Sequence, residues 1–158
     1  GSIRRVSGPR TPRDPYLGLL IRRAQQAHVA VWADAVSTEI SSVQFGVLNA
    51  LSEHPGIGQR ELCELVDLDR STIADLVARL ERRGLIGRVR DVTDRRRNVL
   101  TLTAAGHAEL ADLLSRIDRV DQRLTAGLGD ADHEDLRRLL LAVLDSPDVR
   151  ASVERPRD

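Results

Sequence analysis

Apolar residues recur at intervals of three and four along most of the chain, a pattern typical of amphipathic helices. The first run predicts a long helix from Asp14 to about Val36, because Asp14 can cap free amides and Pro15 suits the first helical position. A second helix is expected after a cap at Ser41 or Ser42.

Two shorter helices separated by a tight turn are expected next. Ile57-Gly58 is expected to open the first, and Asp69 to cap the second. Gly84 stands where a left-handed C-terminal cap is wanted. The apolar side chains expected to face inward from the first of these helices are Leu62, Leu65 and Val66. This arrangement is typical of a helix-turn-helix.

After Gly84 the hydrophobic period changes from that of a helix to that of a strand. Residues 85–90 and 98–102 alternate like the two strands of a hairpin, and the charged residues 91–97 form its expected tip. A helix-turn-helix followed directly by such a hairpin predicts a winged helix.

The C-terminal third returns to a helical period. Thr103 is expected to cap one long helix that continues to about Leu124, and a last helix is expected to open at the acidic segment beginning at Asp130. The terminal helices carry more apolar surface than one small winged helix can cover. We therefore expect a homodimer.

The expected fold is mainly α with a small β-wing. Residues 41–103 form the winged helix-turn-helix domain, and residues 14–40 and 104–146 form a helical dimerisation region. Residues 1–13, rich in arginine and proline, are expected to form a flexible arm, and residues 147–158 a tail.

Charge is unevenly distributed along the chain. The 158 residues carry 24 basic and 24 acidic side chains, and every basic residue is an arginine. Residues 70–103 hold nine of these arginines and only four acids, so the predicted helix-turn-helix and wing form a basic island. Such an island is a candidate footprint for a polyanion.

Several function classes are disfavoured by composition. No apolar run approaches the roughly 18–20 residues of a membrane span, so a cytoplasmic protein without membrane contact is expected. The absence of lysine excludes Schiff-base chemistry and the phosphate-binding loop with its lysine. No set of side chains converges as catalysis requires, so we expect no enzyme, no catalytic residues, no metal and no cofactor.

The single cysteine, Cys63, leaves one alternative within the same fold, a redox-sensing regulator. A buried inert thiol is the favoured interpretation, because no second cysteine can resolve an oxidised form. A small enzyme and a protein-interaction module without DNA binding remain as less favoured alternatives from other classes.

Four segments stand in order along this part of the chain: residues 68–73 at the start of the second helix of the predicted helix-turn-helix, the recognition helix, 80–86 at its end, 91–96 in the wing and 102–106 at the next helix start. Together they resemble the MarR family of dimeric bacterial transcriptional regulators. The resemblance spans about residues 17–144 and implies a winged helix-turn-helix that binds double-stranded DNA.

Within that family, residues 22–28 with Trp32, and residues 44–51, are most similar to members that respond to phenolic or aromatic carboxylic acids such as protocatechuate. This resemblance implies a repressor that a small aromatic acid releases from a pseudo-palindromic operator.

The recognition helix supplies the first candidate DNA contacts. Its first turn presents Arg70, Ser71 and Thr72, with amides that can bind phosphate and side chains that can face the groove edges. Asp75 and Arg79 lie on the face opposite the apolar stripe, and Arg79 is the candidate for reading a base. The alternative for Asp75 is an orienting ion pair with Arg79.

The wing supplies the second set of candidate DNA contacts. Arg95, Arg96 and Arg97 are expected to place one side chain in the minor groove and the others on phosphate, with Arg95 as the first candidate for insertion. The family resemblance implies that Asp94 pairs with one of them and shapes the turn, which makes at least one of the three structural.

The candidate effector site lies on the first helix. Arg22 can hold a carboxylate, His28 can bond a ring hydroxyl and Trp32 can supply an apolar wall. Taken from the residues alone, a packed His28 and a core Trp32 are the favoured interpretations, whereas the resemblance implies that Arg22 and His28 contact the effector. Arg22 and His28 are about 240° apart on a helix, so one pocket needs an intervening turn or a second subunit.

Overall fold

The computed structural model describes residues 15–154. These residues form eight helices and one three-stranded sheet. They divide into two compact units, one ending at Val120 and the other beginning at Asp121. Among the helices of residues 15–154, none combines the length and apolarity needed to cross a membrane.

Helix α1 spans Leu17–Ala35 and starts later than expected. Pro15 precedes the helix, and Tyr16 is its N-cap without a capping side-chain hydrogen bond. The expectation that Pro15 occupies the first helical position is therefore wrong; the first helical hydrogen bonds run to the carbonyl of Tyr16 instead. The predicted cap Asp14 and the predicted arm 1–13 lie outside the described residues.

Helix α2, Ser42–Glu53, begins at the predicted serine cap. The side chain of Ser41 accepts from the amide of Gln44, and the Gln44 side chain accepts in return from the amide of Ser41. This reciprocal capping box satisfies two amides that the helix leaves free. The helix places Val47 and Leu48 in the core, both fully buried.

The segment predicted to open the third helix is a strand instead. Ile57–Gly58 forms β1, which pairs antiparallel with a later strand, and helix α3 begins after it as Gln59–Val66. A strand of two residues is too short to show the alternation of apolar and polar residues that predicts a strand. It can therefore be recognised only from its pairing with the partner strand. Leu62 is fully buried as predicted, whereas the prediction for Leu65 is wrong, because its side chain is 46% exposed.

Helix α4, Arg70–Arg82, is the predicted recognition helix. Its carboxylate cap is Asp69, and its apolar stripe buries Ile73, Val77 and Leu80. Gly84 follows the helix at φ +74°, which confirms the expected left-handed cap.

Strands β2, Ile86–Arg90, and β3, Asn98–Leu102, form the predicted hairpin. The sheet order is β1-β3-β2, so β3 is the central strand, and its Leu100 is fully buried against the helices. Helices α2–α4 and this sheet confirm the winged helix.

The predicted long helix after the wing is interrupted. Thr103 caps α5, Ala104–Leu114, as expected, but a turn separates it from α6, Asp118–Leu124. The prediction of one continuous helix is therefore wrong. In the turn, the hydroxyl of Ser115 donates to a backbone carbonyl three residues earlier, and the amide of Arg116 bonds at the tighter i−3 spacing.

The second unit contains α7, Asp130–Leu144, and α8, Pro147–Glu154. Helix α7 begins at the predicted acidic turn, whereas α8 lies in the segment expected only as a tail. Its first residue is Pro147, which suits the first helical position. The large apolar side chains of α7 are exposed: Leu136, Leu139, Leu140, Leu141, Val143 and Leu144.

Candidate nucleic-acid interface and effector site

The first turn of the recognition helix α4 is organised by Asp69. Its carboxylate accepts from the Thr72 amide (2.8 Å) and from the hydroxyls of Ser71 (2.7 Å) and Thr72 (2.8 Å). These hydrogen bonds, the Thr72 amide first, lower the pKa of Asp69 to about 2. Contrary to the expectation for this turn, the Thr72 amide is therefore not free to bind phosphate. Both hydroxyls donate their hydrogen to Asp69, so their oxygens can accept from an amino group on a base edge but do not donate to phosphate.

Asp75 and Arg79 lie one turn apart on the exposed face of α4. Their side chains form an ion pair at 3.0 Å, as the alternative interpretation of Asp75 predicted, and are 60% and 58% exposed. An exposed pair at this spacing is worth only about 0.3–0.5 kcal/mol. Arg79 can therefore leave Asp75 for a stronger partner such as a guanine edge.

Arg70 lines a surface hollow of about 300 Å³ together with Gln59, Arg60 and Cys63. The hollow brings a cation from the first turn of α3 next to one from the first turn of α4. Arg60 was not among the sequence candidates. The available signal was a basic residue in the opening turn of the helix that precedes the recognition helix.

The wing tip, residues 91–97, is shaped by two aspartates. Asp91 accepts from the amide and hydroxyl of Thr93, bonds that lower the pKa of Asp91, and Asp94 accepts from the amide of Arg96 at 3.0 Å. Asp94 thus shapes the turn through a backbone amide. The expected ion pair between Asp94 and an arginine is not found among the described residues.

The three wing arginines fall into two groups. Arg95 and Arg96 are exposed, and no carboxylate of residues 15–154 lies within ion-pair distance of either. Arg97 differs, because its guanidinium pairs with Glu61 of α3. The ion pair with Glu61 was missed by the sequence analysis, since residues 61 and 97 are brought together only by the pairing of β1 with β3.

The effector candidates are brought together only in part. The rings of His28 and Trp32 meet edge to face at 6.3 Å between centroids, and Trp32 contacts Phe45 at 5.5 Å. The indole N–H of Trp32 donates to the carbonyl of Ile40 at 2.7 Å, so only the ring itself is available as a wall. Trp32 is buried in the core, as the interpretation from the residues alone predicted.

Arg22 is exposed on α1, about 9 Å along the helix axis from His28. The single chain therefore presents the aromatic pair and this cation separately.

Comparisons with known proteins agree with this architecture. The model of the MarR family matches residues 38–97, which run from the loop before α2 to the wing tip and end just before β3. A putative transcriptional regulatory protein for the hcr operon of Thauera aromatica is 36% identical over 126 residues, which cover 78% of this chain and 76% of that protein.

The chain belongs to the MarR family.

Two solved structures are similar to this chain over most of their length. The PcaV transcriptional regulator from Streptomyces coelicolor, solved with its natural ligand, has 45% identity and a TM-score of 0.77, covering 83% of this chain and 93% of that one. BpsR of Bordetella bronchiseptica, whose DNA binding is regulated by 6-hydroxynicotinic acid, has 28% identity and a TM-score of 0.80, covering 88% and 99%.

In this MarR-family chain, the loop between α1 and α2 contacts both candidate sites. Its Ile40 carbonyl holds the Trp32 indole, and the neighbouring Glu39 accepts from Arg83 at the end of α4 through its carbonyl (2.9 Å) and its carboxylate (3.1 Å). The aromatic pair and the end of the recognition helix therefore share one short segment of backbone.

Cys63 lies half-buried on α3 and is a free thiol. Burial is the largest influence on it and raises its pKa, although Arg70 acts in the opposite direction. A raised pKa lowers the fraction of reactive thiolate at neutral pH. The environment of Cys63 thus favours the inert thiol over the redox-sensing alternative.

Proposed function

We propose that this MarR-family transcriptional regulator is a repressor that grips double-stranded DNA with α4 and the wing. The main support for this proposal is that Arg95 and Arg96 are exposed on the wing without an ion-pair partner among the described residues. The exposed face of the recognition helix carries two more arginines, Arg70 and Arg79. Exposed guanidinium groups suit phosphate and the narrow minor groove. The protein acts in this proposal by binding, without catalysis.

The DNA-bound form in this proposal is a homodimer. Each compact unit supports this by itself: α1 exposes Leu17, Leu20 and Ile21, and α7 exposes a run of leucines. Such apolar faces are covered in most stable proteins. Two copies related by a two-fold axis would read half-sites about 34–36 Å apart.

The effector in this proposal is a small aromatic carboxylic acid. The regulation of DNA binding of BpsR by 6-hydroxynicotinic acid supports this class, and the similarity to PcaV solved with its natural ligand supports the presence of a ligand site. His28 and Trp32 offer a polar group next to an aromatic edge, and Arg22 supplies the cation once a second subunit or a turn brings it close. Ligand binding at this end of α1 would act on α4 through the shared loop at Glu39 and Ile40.

Replacement of Arg22 is the test of the effector site. We expect Arg22→Ala to weaken binding of the acid about 10- to 100-fold, because a charge-assisted hydrogen bond is lost, and to leave DNA affinity unchanged. A thermal-shift screen with 4-hydroxybenzoate, 3,4-dihydroxybenzoate and 6-hydroxynicotinate selects the acid. Titration calorimetry then measures its affinity for each variant.

Arg23→Ala is the matched control, since Arg23 carries the same charge on the same exposed helix. Equal acid affinity in Arg22→Ala and the parent protein would overturn the assignment of Arg22. A parent protein stabilised by none of the acids would overturn the effector class.

A further inference from the structure

The wing of this protein is tied to helix α3 at one point. Arg97 is the last residue before β3; its amide donates to the carbonyl of Asp94 (3.0 Å), and its carbonyl accepts from the amide of Asp91 (2.9 Å). These two backbone bonds close the wing tip. The Arg97 side chain then leaves the tip and pairs with Glu61 in the first turn of α3.

The path of that side chain depends on Gly58. Gly58 lies in β1, opposite Val99 of β3, so it stands between the wing and α3. A Cβ on Gly58 would meet the Glu61 carboxylate and would lie 2.8 Å from a guanidinium nitrogen of Arg97. The absence of a side chain at Gly58 therefore leaves the space that the Arg97–Glu61 ion pair occupies. We name Gly58, Glu61 and Arg97 the wing clamp.

The wing clamp is better shielded than the ion pair on the recognition helix. The Arg97 and Glu61 side chains are 41% and 44% exposed, against 58% and 60% for Arg79 and Asp75. Glu61 also lies in the first turn of α3, where the helix dipole favours a carboxylate. Helix α3 is also anchored in the core through Leu62, which is fully buried. The acidic partner of Arg97 therefore lies on a helix with a fixed position.

We propose that Arg97 is a positioning residue: its ion pair with Glu61 fixes the wing so that Arg95 and Arg96 meet DNA in a set orientation. A seven-residue tip samples many orientations, and ordering it on DNA costs binding free energy. The wing clamp reduces that cost before DNA arrives. This inference rests on the proposed DNA-binding function and changes the expected role of Arg97 from DNA contact to support.

The decisive experiment asks whether Glu61→Gln strengthens or weakens the affinity of the protein for DNA. Removing a negative charge near DNA ordinarily strengthens binding, and a freed Arg97 would strengthen it further if that side chain gripped phosphate. The wing clamp predicts the opposite, a roughly 3- to 10-fold loss of affinity for a duplex from the promoter region of the protein's own gene. Fluorescence anisotropy at fixed salt measures the affinity, and thermal unfolding verifies that the variant is folded.

Four further variants complete the test. Arg97→Gln is expected to cause a loss similar to that of Glu61→Gln, and the double variant no additional loss. Reversing the pair, with Glu61→Arg and Arg97→Glu together, is expected to return affinity to within about 3-fold of the parent. Glu64→Gln, the same charge change on an exposed position of α3, serves as the control and is not expected to weaken binding.

A DNA-free measurement separates this inference from the proposed function. Hydrogen exchange at the Asp91 and Arg97 amides is expected to be several-fold faster in Glu61→Gln than in the parent protein. Unchanged exchange, or DNA affinity that rises in Glu61→Gln, would overturn the wing clamp. A parent protein that does not prefer its promoter duplex would instead overturn the repressor proposal and leave the exchange rates to decide on the wing clamp.

Discussion

Replacing Arg79 by alanine should reduce affinity for the operator duplex by about 5- to 150-fold while changing affinity for a scrambled duplex far less. A bidentate contact from arginine to guanine is worth roughly 1–3 kcal/mol of discrimination, and only a correct base can supply it. The ion pair with Asp75 does not prevent Arg79 from contacting a base, because that pair is weak and exposed to solvent. Competition binding with both duplexes at one salt concentration measures the effect.

Arg138→Ala is the charge-matched control, since it removes an exposed arginine from α7, outside the winged helix. We expect it to alter neither affinity nor discrimination. If Arg79→Ala weakened the operator and scrambled duplexes equally, Arg79 would be a phosphate contact and base reading would have to be assigned elsewhere.

Gly106 is the position where a single methyl group should do the most damage to the fold. A Cβ there would overlap the carbonyl oxygen of Leu85 and lie 3.0 Å from its carbon, both of them backbone atoms. That oxygen also accepts from the amide of Thr103, the cap of α5. We expect Gly106→Ala to destabilise the protein by about 2–3 kcal/mol and to lower Tm by roughly 4–12 °C, measured by thermal unfolding.

Gly46→Ala is the matched substitution, and it is expected to stabilise the protein rather than destabilise it. Gly46 lies inside α2, and an added Cβ would meet nothing within 4 Å. Alanine there should raise stability by about 0.5–1 kcal/mol, because a helical glycine costs more conformational entropy. A Gly106→Ala protein as stable as the parent would contradict the close packing of α5 on the start of the wing hairpin.

Elements defined by local chemistry could be predicted from the sequence. A serine cap at Ser41 or Ser42, a cap at Asp69 and a left-handed cap at Gly84 each mark a helix end, and the structure has them at Ser41, Asp69 and Gly84. Local rules suffice here because a cap satisfies its own helix.

Features that depend on distant residues could not be predicted in the same way. Strand β1 exists only because β3 pairs with it, and the break before α6 accompanies a bond from Arg116 to the Val36 carbonyl, 80 residues away. The same reason applies to the candidate site. The sequence places three arginines in the predicted wing. Only the folded sheet brings Arg97 to Glu61 and so distinguishes it from Arg95 and Arg96.

The most direct measurement of the central claim is an anisotropy titration of two labelled duplexes, one from the promoter region of the protein's own gene and one scrambled. The account predicts binding to the promoter duplex at least about 10³-fold tighter than to the scrambled duplex at matched salt. It also predicts release of the promoter duplex when the aromatic acid selected by thermal shift is added. Equal affinity for the two duplexes would contradict the account.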